Sequence, residues 1–459
     1  MKTLAYAASA ATPHKVDAVP RGQRVRRGAS PAWIGDVLSF STAGLESYFF
    51  SEWRPDLIDL LVVAAAIEFC DITVRRPTHG WARHFDVRIA IHDKALWDQS
   101  SVNSALVDAA GFLTGDLWSF EFVSRQRREK TVEQKMLELN SGARVIMPYS
   151  DGLDSRAVAA IVEAEEKNAL VRVRLGTQGA DRRSHDRRHK PFTSVPYEIK
   201  LPKGEHRDSS ARSRAFKFAV ITGIASRLAG VDRIIVTESG QGALGPVLAV
   251  TGHAYPDYRV HPAFTRRMEN LFCALFGRAP HYEFPRIWST KGETLAEASA
   301  LGTFAWADTR SCWQGSRQTG IGGRRRQCGI CAACLLRRMS MHHAKLDEPA
   351  SNYVWETLSS STIRGGATRK FKNFTPAMGE YAIAGVLHLD HLAAMAEPGP
   401  YEMIRSRVSR ELARALGDGE PEVDRKLGSL LARHKAEWLS FVATLGEESF
   451  IRKIASTVS

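Results

Sequence analysis

Four cysteines late in the chain, Cys312, Cys328, Cys331 and Cys334, have the spacing of metal ligands. The last three are separated by two residues each, so their thiolates wrap one face of an ion, and Cys312 closes the fourth corner from across a loop. Four thiolates leave no position for water, which makes the expected site a structural zinc. An iron–sulfur cluster is the competing reading, because two-residue spacings also hold clusters. A third reading is a set of ordinary buried cysteines. Cys70 and Cys273 sit in apolar helical patterns and are expected as small core residues. Clustering at metal spacing in so large a chain argues against disulfides.

A second element lies about 160 residues upstream: Ser150-Asp151-Gly152-Leu153-Asp154-Ser155. Arg144 to Met147 reads as a short buried strand, and Ser155 to about Lys167 as a helix rich in alanine and aliphatics. A strand, a tight polar loop and a helix N-terminus form an anion site, since unpaired N–H groups and the helix dipole face the phosphate. Gly152 permits close approach of backbone to phosphate. Asp154 or Ser155 is expected to cap the helix.

The loop resembles the Ser-Gly-Gly-x-Asp-Ser signature of the PP-loop ATP pyrophosphatases. Its pairing with Ser311-Cys312-Trp313 and with Cys328-Gly329-Ile330-Cys331-Ala332-Ala333-Cys334, followed by Arg337, is similar to 7-cyano-7-deazaguanine synthase. The resemblance covers roughly residues 140–345. It implies that Ser150, Asp151, Gly152, Leu153, Asp154 and Ser155 bind ATP, with Asp154, Ser155 and Lys291 catalytic, and that the four cysteines hold Zn²⁺. Arg212 and Arg214 resemble the basic residue that opens the corresponding family helix and are expected either to face phosphates or to be solvated helix residues. Asp151 departs from the family, standing where a second glycine is usual. Its charge beside polyphosphate calls either for Mg²⁺ or for weaker nucleotide binding.

Between the motifs, strands are expected at Leu170–Leu175, Val195–Leu201 and Arg233–Thr237, with a helix from Ser209 to about Ala229. Alternating strand and helix signals predict an α/β, doubly wound parallel sheet with ligands at the carboxyl ends of its strands. Glu238, Ser239, Gly240 and Gln241 leave the last strand at such an end and are the expected substrate-binding residues. A plain glycine-rich turn is the other reading of that stretch.

The flanks complete the plan: a flexible tail over 1–29, an N-terminal α+β domain over 30–139, the PP-loop domain over 140–345 and a helical domain over 346–459. In the N-terminal domain Phe85, Val87, Ile89 and Ile91, and likewise Trp118, Phe120 and Phe122, alternate as buried faces of antiparallel strands. Val423, Leu427, Leu430, Leu431, Trp438, Phe441, Val442 and Leu445 line one side of a late helix. At 459 residues, 44% of them hydrophobic, the chain suits a cytoplasmic multidomain protein. No apolar stretch is long enough for a bilayer span; Leu57–Ile67, with Asp59 inside it, is expected as a core helix. A net charge of +13 is scattered, with runs at Arg187-Arg188-His189-Lys190 and Arg324-Arg325-Arg326. It favours a solvated surface or an acidic partner over nucleic acid.

The resemblance implies an ATP-dependent carbon–nitrogen ligase, forming AMP and pyrophosphate, that acts on the carboxylate of 7-carboxy-7-deazaguanine. The acceptor is ammonia in the synthase proper. The enlarged architecture also resembles relatives in bacterial antiviral defence operons, where a partner protein's amine would replace ammonia. A PP-loop enzyme for a tRNA base or an amino acid, and a non-catalytic nucleotide-binding scaffold, stay open at this point.

Overall fold

A computed structural model describes residues 12–40, 55–78, 80–125, 142–150, 152–174, 192–193, 197–209, 212–251, 255–312, 314, 319–321 and 324–455. The fold is α/β. Two compact units interleave along the chain rather than follow one another: Met1–Pro148, Val171–Ile234 and Phe264–Tyr282 form the first, and Tyr149–Leu170, Ile235–Ala263 and Glu283–Ser459 the second.

The first unit contains strands β1 (His14–Ala18), β2 (Ser30–Pro31), β3 (Leu38–Phe40), β4 (His84–Ile91) and β5 (Leu117–Ser124). Four of them make a sheet in the order β2-β1-β4-β5. Residues 12–29, expected as tail, thus supply a sheet strand whose Val16 and Ala18 are buried. The pairing is parallel throughout, with Val16 opposite Val87 and Val87 opposite Phe120, which corrects the expected antiparallel arrangement. The helix Ser100–Thr114 between β4 and β5 carries the chain back to the starting end, as parallel pairing requires. Alternation reported only that one face is buried. The opposite face holds Arg26 against Asp17 at 2.7 Å, Asp86 at 2.8 Å and Glu121 at 3.3 Å, with Arg88 at 2.6 Å from Asp17.

The helix Pro55–Thr73 is buried almost all round. Asp59, the charge inside its apolar run, accepts from the backbone N–H groups of His92 and Asp93 at 2.8 and 3.0 Å. That satisfies a buried carboxylate and the turn after β4 together.

A second sheet runs β11-β10-β6-β7-β8, with β6 at Val145–Tyr149, β7 at Leu170–Arg174, β8 at Phe192–Thr193, β9 at Tyr197–Ile199, β10 at Arg233–Ile235 and β11 at His281–Glu283. Ile234 of β10 lies parallel to Ile146 of β6, and Val173 of β7 parallel to Phe192 of β8. β9, expected among these strands, instead pairs antiparallel with β3, where the Tyr197 and Phe40 rings meet at 6.1 Å. A three-residue strand carries too little pattern to specify its neighbour. Helices Ser213–Ala229 and Pro262–Phe276 approach closely because Gly223 leaves room for the Phe272 ring. Cys70 is buried as expected, whereas Cys273 faces solvent on Pro262–Phe276, a correction to its reading as core.

The second unit is mostly helical. It contains Leu153–Glu166, Gly240–Leu248, Lys291–Ala300, Ala332–His343, Pro376–Ala394, Glu402–Leu416, Glu420–Ala443 and Phe450–Ala455, plus a short hairpin of β12 (Gly320–Ile321) and β13 (Arg324–Arg325). Of the expected apolar stripe, Val423 to Val442 are buried on Glu420–Ala443, and Leu445 packs just beyond its end. The cysteines and the late helices share one core: Cys331 and Cys334 cluster with Trp355, Val386, Trp438 and Phe441. Position 345 is therefore no boundary in the packing. Gly385 explains the closeness, since a Cβ there would stand 2.8 Å from the Ile330 carbonyl oxygen.

Candidate active site and cysteine centre

The loop after β6 enters Leu153–Glu166 with Gly152, in extended conformation, at the N-cap. No side chain caps this helix, so the expected capping by Asp154 or Ser155 gives way to other contacts. Ser155 Oγ lies 3.0 Å from Ser150 Oγ and 3.3 Å from Thr237 Oγ1, joining the segments that follow β6 and β10. The Gly152 N–H donates to Ser150 Oγ at 3.2 Å. Asp151 lies outside the described residues.

Asp154 is the meeting point. Its Oδ2 pairs with Lys291 Nζ, and its Oδ1 accepts from Ser239 Oγ at 3.4 Å. Glu238 is the next carboxyl. Burial first, then the Asp154 charge, push its pKa up to about 8 from 4.5, while Lys291 and Arg259 oppose the rise. Burial and the neighbouring carboxylate thus favour the protonated form of Glu238. Arg259 is fixed by Asp257, with Nη2 at 2.6 Å. Gly242 is the residue that accommodates Glu238, because a Cβ there would overlap its carboxyl group.

The stretch from Glu238 onward is therefore the start of a helix, Gly240–Leu248 with Ser239 at the N-cap, rather than a turn. Gly240 lies against the Ile287 carbonyl and Leu430 with no space for a side chain. The Gln241 amide is committed within the fold, accepting from the Lys291 N–H at 2.7 Å and lying 2.9 Å from His434 Nδ1. Of the other expected site residues, Leu153 is buried in the core beneath the loop. Arg212 and Arg214 belong to the first unit, where the Arg212 guanidinium lies over the Trp81 ring at 5.5 Å.

The four cysteines converge, with all sulfurs within 4.8 Å of one another. Cys328 and Cys334 Sγ are 3.7 Å apart. Tetrahedral zinc with arms of about 2.3 Å has edges of about 3.8 Å, so the spacing fits the ion. Backbone N–H groups point at the sulfurs, from Cys328 to Cys312 Sγ at 3.2 Å and from Cys331 to Cys328 Sγ at 3.3 Å, an arrangement suited to thiolates. Gly329, at φ +93°, makes the turn between Cys328 and Cys331. Behind them Arg337, fully buried, forks onto Glu348 and donates to Thr309 Oγ1 at 2.8 Å, which anchors the segment carrying Cys312.

Sequence reasoning passed over Thr237, Thr290, Asp257, Arg259, His434 and Glu437. Three of these carried signals. Thr290-x-x-Glu293 is a capping box, and both of its hydrogen bonds form. His434 and Glu437 fall on the apolar stripe between Leu430 and Phe441, where a polar residue needs a partner.

Residues 241–345 match a family model, QueC: Queuosine biosynthesis protein QueC. The matched segment contains Gln241, Lys291 and all four cysteines, and agrees with the resemblance drawn from the cysteine motif. The loop at 150–155 and the helices beyond 345 lie outside it. No solved structure matches the chain. Among the described residues no helix is long and apolar enough to cross a membrane.

Proposed function

We propose that this protein uses ATP to activate the carboxylate of 7-carboxy-7-deazaguanine and passes the acyl group to an amine, releasing AMP and pyrophosphate. One observation carries the reading. Lys291, inside the QueC-matched segment, pairs with Asp154 of a loop that precedes that segment by many residues. Ser239 bonds Asp154 of this pair, and the hydroxyls of Ser150, Ser155 and Thr237 join one another at the start of the same helix. This supplies hydrogen-bond donors and one cation where a polyphosphate needs them.

In the first step a carboxylate oxygen attacks the α-phosphorus, the bond from that phosphorus to the α,β-bridging oxygen breaks and pyrophosphate leaves. In the second the amine nitrogen attacks the acyl carbon, the C–O bond to AMP breaks and the amine loses a proton. Lys291 would neutralise the phosphates, and Glu238 is placed to hold the proton, its carboxyl titrating near neutrality. Mg²⁺ would arrive with ATP. Zinc at the four cysteines would brace the fold rather than react.

For the acceptor we read a protein amine, in a role in antiviral defence. The residues outside the matched segment, on both sides, exceed what ammonia requires. An N-terminal amine suits the attack, since its ordinary pKa of about 7.7–8.0 lies well below lysine's at about 10.4.

The test is pyrophosphate release from ATP with and without 7-carboxy-7-deazaguanine. The expected result is release that depends on the base and is abolished by Asp154→Ala with thermal stability nearly intact. Base-independent or absent release overturns the reading. Intact mass of a co-expressed partner reads the acceptor. A partner whose mass never changes while 7-cyano-7-deazaguanine accumulates assigns ammonia instead.

A further inference from the structure

The helix Glu420–Ala443 lies wholly outside the QueC-matched segment, yet one of its carboxylates reaches the residue next to Lys291. Thr290 donates its hydroxyl to Glu437 Oε1. Its oxygen also accepts the Glu293 N–H at 3.0 Å and so caps the helix that Lys291 opens. Glu437 Oε2 accepts from Gln241 Nε2 at 3.4 Å. Gln241 Oε1 in turn accepts the Lys291 N–H at 2.7 Å. Glu437 is thus bonded, directly or through one side chain, to both residues that fix the start of Lys291–Ala300.

The donors and acceptors admit one assignment. His434 Nε2 lies 2.8 Å from the Leu389 carbonyl oxygen, so it carries the proton and Nδ1 accepts from Gln241. Burial holds this imidazole neutral, with its pKa lowered to about 4. One Gln241 amide proton goes to His434 and the other to Glu437, which leaves Oε1 for Lys291. Packing fixes the same geometry. A Cβ at Gly292 would stand 2.8 Å from Glu437 Oε1 and 2.8 Å from the His343 ring. From one turn earlier on the same late helix, Arg433 forms an ion pair with Glu293 at 2.8 Å and donates to the Trp288 carbonyl at 2.5 Å.

We propose that Glu437 is the positioning residue for Lys291: through Thr290 and Gln241 the late helix sets where the lysine's ammonium stands relative to Asp154. The inference rests on the reading of Asp154 and Lys291 as the ATP-activating pair. It assigns the C-terminal helices a part in the chemistry in addition to their packing.

The experiment measures base-dependent AMP formation by the full-length protein in wild type, Glu437→Ala, Glu437→Gln and Lys291→Ala. Thermal unfolding and metal content are followed in parallel. Lys291→Ala is expected to abolish turnover. Glu437→Ala is expected to lower kcat between about tenfold and a hundredfold, the loss typical of a displaced reacting group. The KM for ATP should move by less than about twofold, since ground-state contacts survive. Glu437→Gln keeps an acceptor for Thr290 but turns an amide toward Gln241, so it should recover part of the lost kcat. It also covers the case in which the alanine variant does not fold. If both Glu437 variants keep kcat within about twofold of wild type while Lys291→Ala is dead, the positioning inference fails and the site reading stands. If Lys291→Ala turns over normally, the site reading itself falls.

Discussion

The cysteine centre and the Asp154 centre lie in the same unit and are built in opposite ways. Three of the four sulfurs come from one seven-residue stretch, the fourth from a segment held by Arg337, and all of them sit in a core with Trp355 and Trp438. The Asp154 centre draws on four separate segments: Ser150 to Ser155, Thr237 to Gln241, Thr290 with Lys291, and Glu437 from a late helix. A local cluster embedded in apolar surroundings is part of what folds the protein. A dispersed polar cluster, partly open and carrying two adjacent carboxyls, is something the fold supports at a cost. The first should fail by loss of structure, the second by loss of chemistry.

The largest effect should come from Cys331→Ser. Structural zinc carries roughly 10–16 kcal/mol of apparent binding energy that is also folding energy. The variant should lose metal and solubility together, from a wild type with close to one zinc per chain by elemental analysis. A Cys331→Ser protein that stays soluble with full metal would remove the contrast, and a brown wild type containing sulfide would replace zinc by a cluster.

A smaller effect is expected from Glu238→Gln, read as unfolding temperature against pH. The folded carboxyl titrates near 8 and the unfolded one near 4.5, so the native state binds the proton more tightly. Stability from this group is full below the unfolded value and declines as pH rises through the folded value. The slope is at most about 1.4 kcal/mol per pH unit. Wild type should therefore lose stability over this window more steeply than Glu238→Gln, which cannot ionise. Parallel profiles would show that the fold does not raise the Glu238 pKa.

The smallest effect is that of Cys273→Ser. This cysteine is exposed and remote from the metal cluster along the chain, so the substitution should change stability by no more than about 0.5 kcal/mol. A thiol reagent should label one site rapidly in the native wild type and none in the variant. A fall in zinc content on losing Cys273 would mean that the assignment of the four ligands is wrong.

The metal ligands were legible in the sequence because ligand spacing is local: two residues between cysteines place sulfurs on one face of an ion in any fold that buries them. The strand at Val145 to Met147, the helix that follows it and the stripe from Val423 to Val442 were legible because side-chain period reports burial. Strand direction was not. Phe85, Val87 and Ile89 alternate identically in parallel and antiparallel sheets, and only the crossover helix Ser100–Thr114 decides between them. Nor did periodicity show which face of Pro262–Phe276 bears Cys273, or that β9 would leave the nucleotide sheet for β3. Asp154, Lys291 and Glu238 were each singled out in the sequence, but Asp154 meets the other two from more than eighty residues away. Glu437 entered the site only through the packing of a helix read as scaffold. Residue type and local spacing reside in the chain, whereas hydrogen-bond partners distant in sequence exist only once packing has brought their segments together.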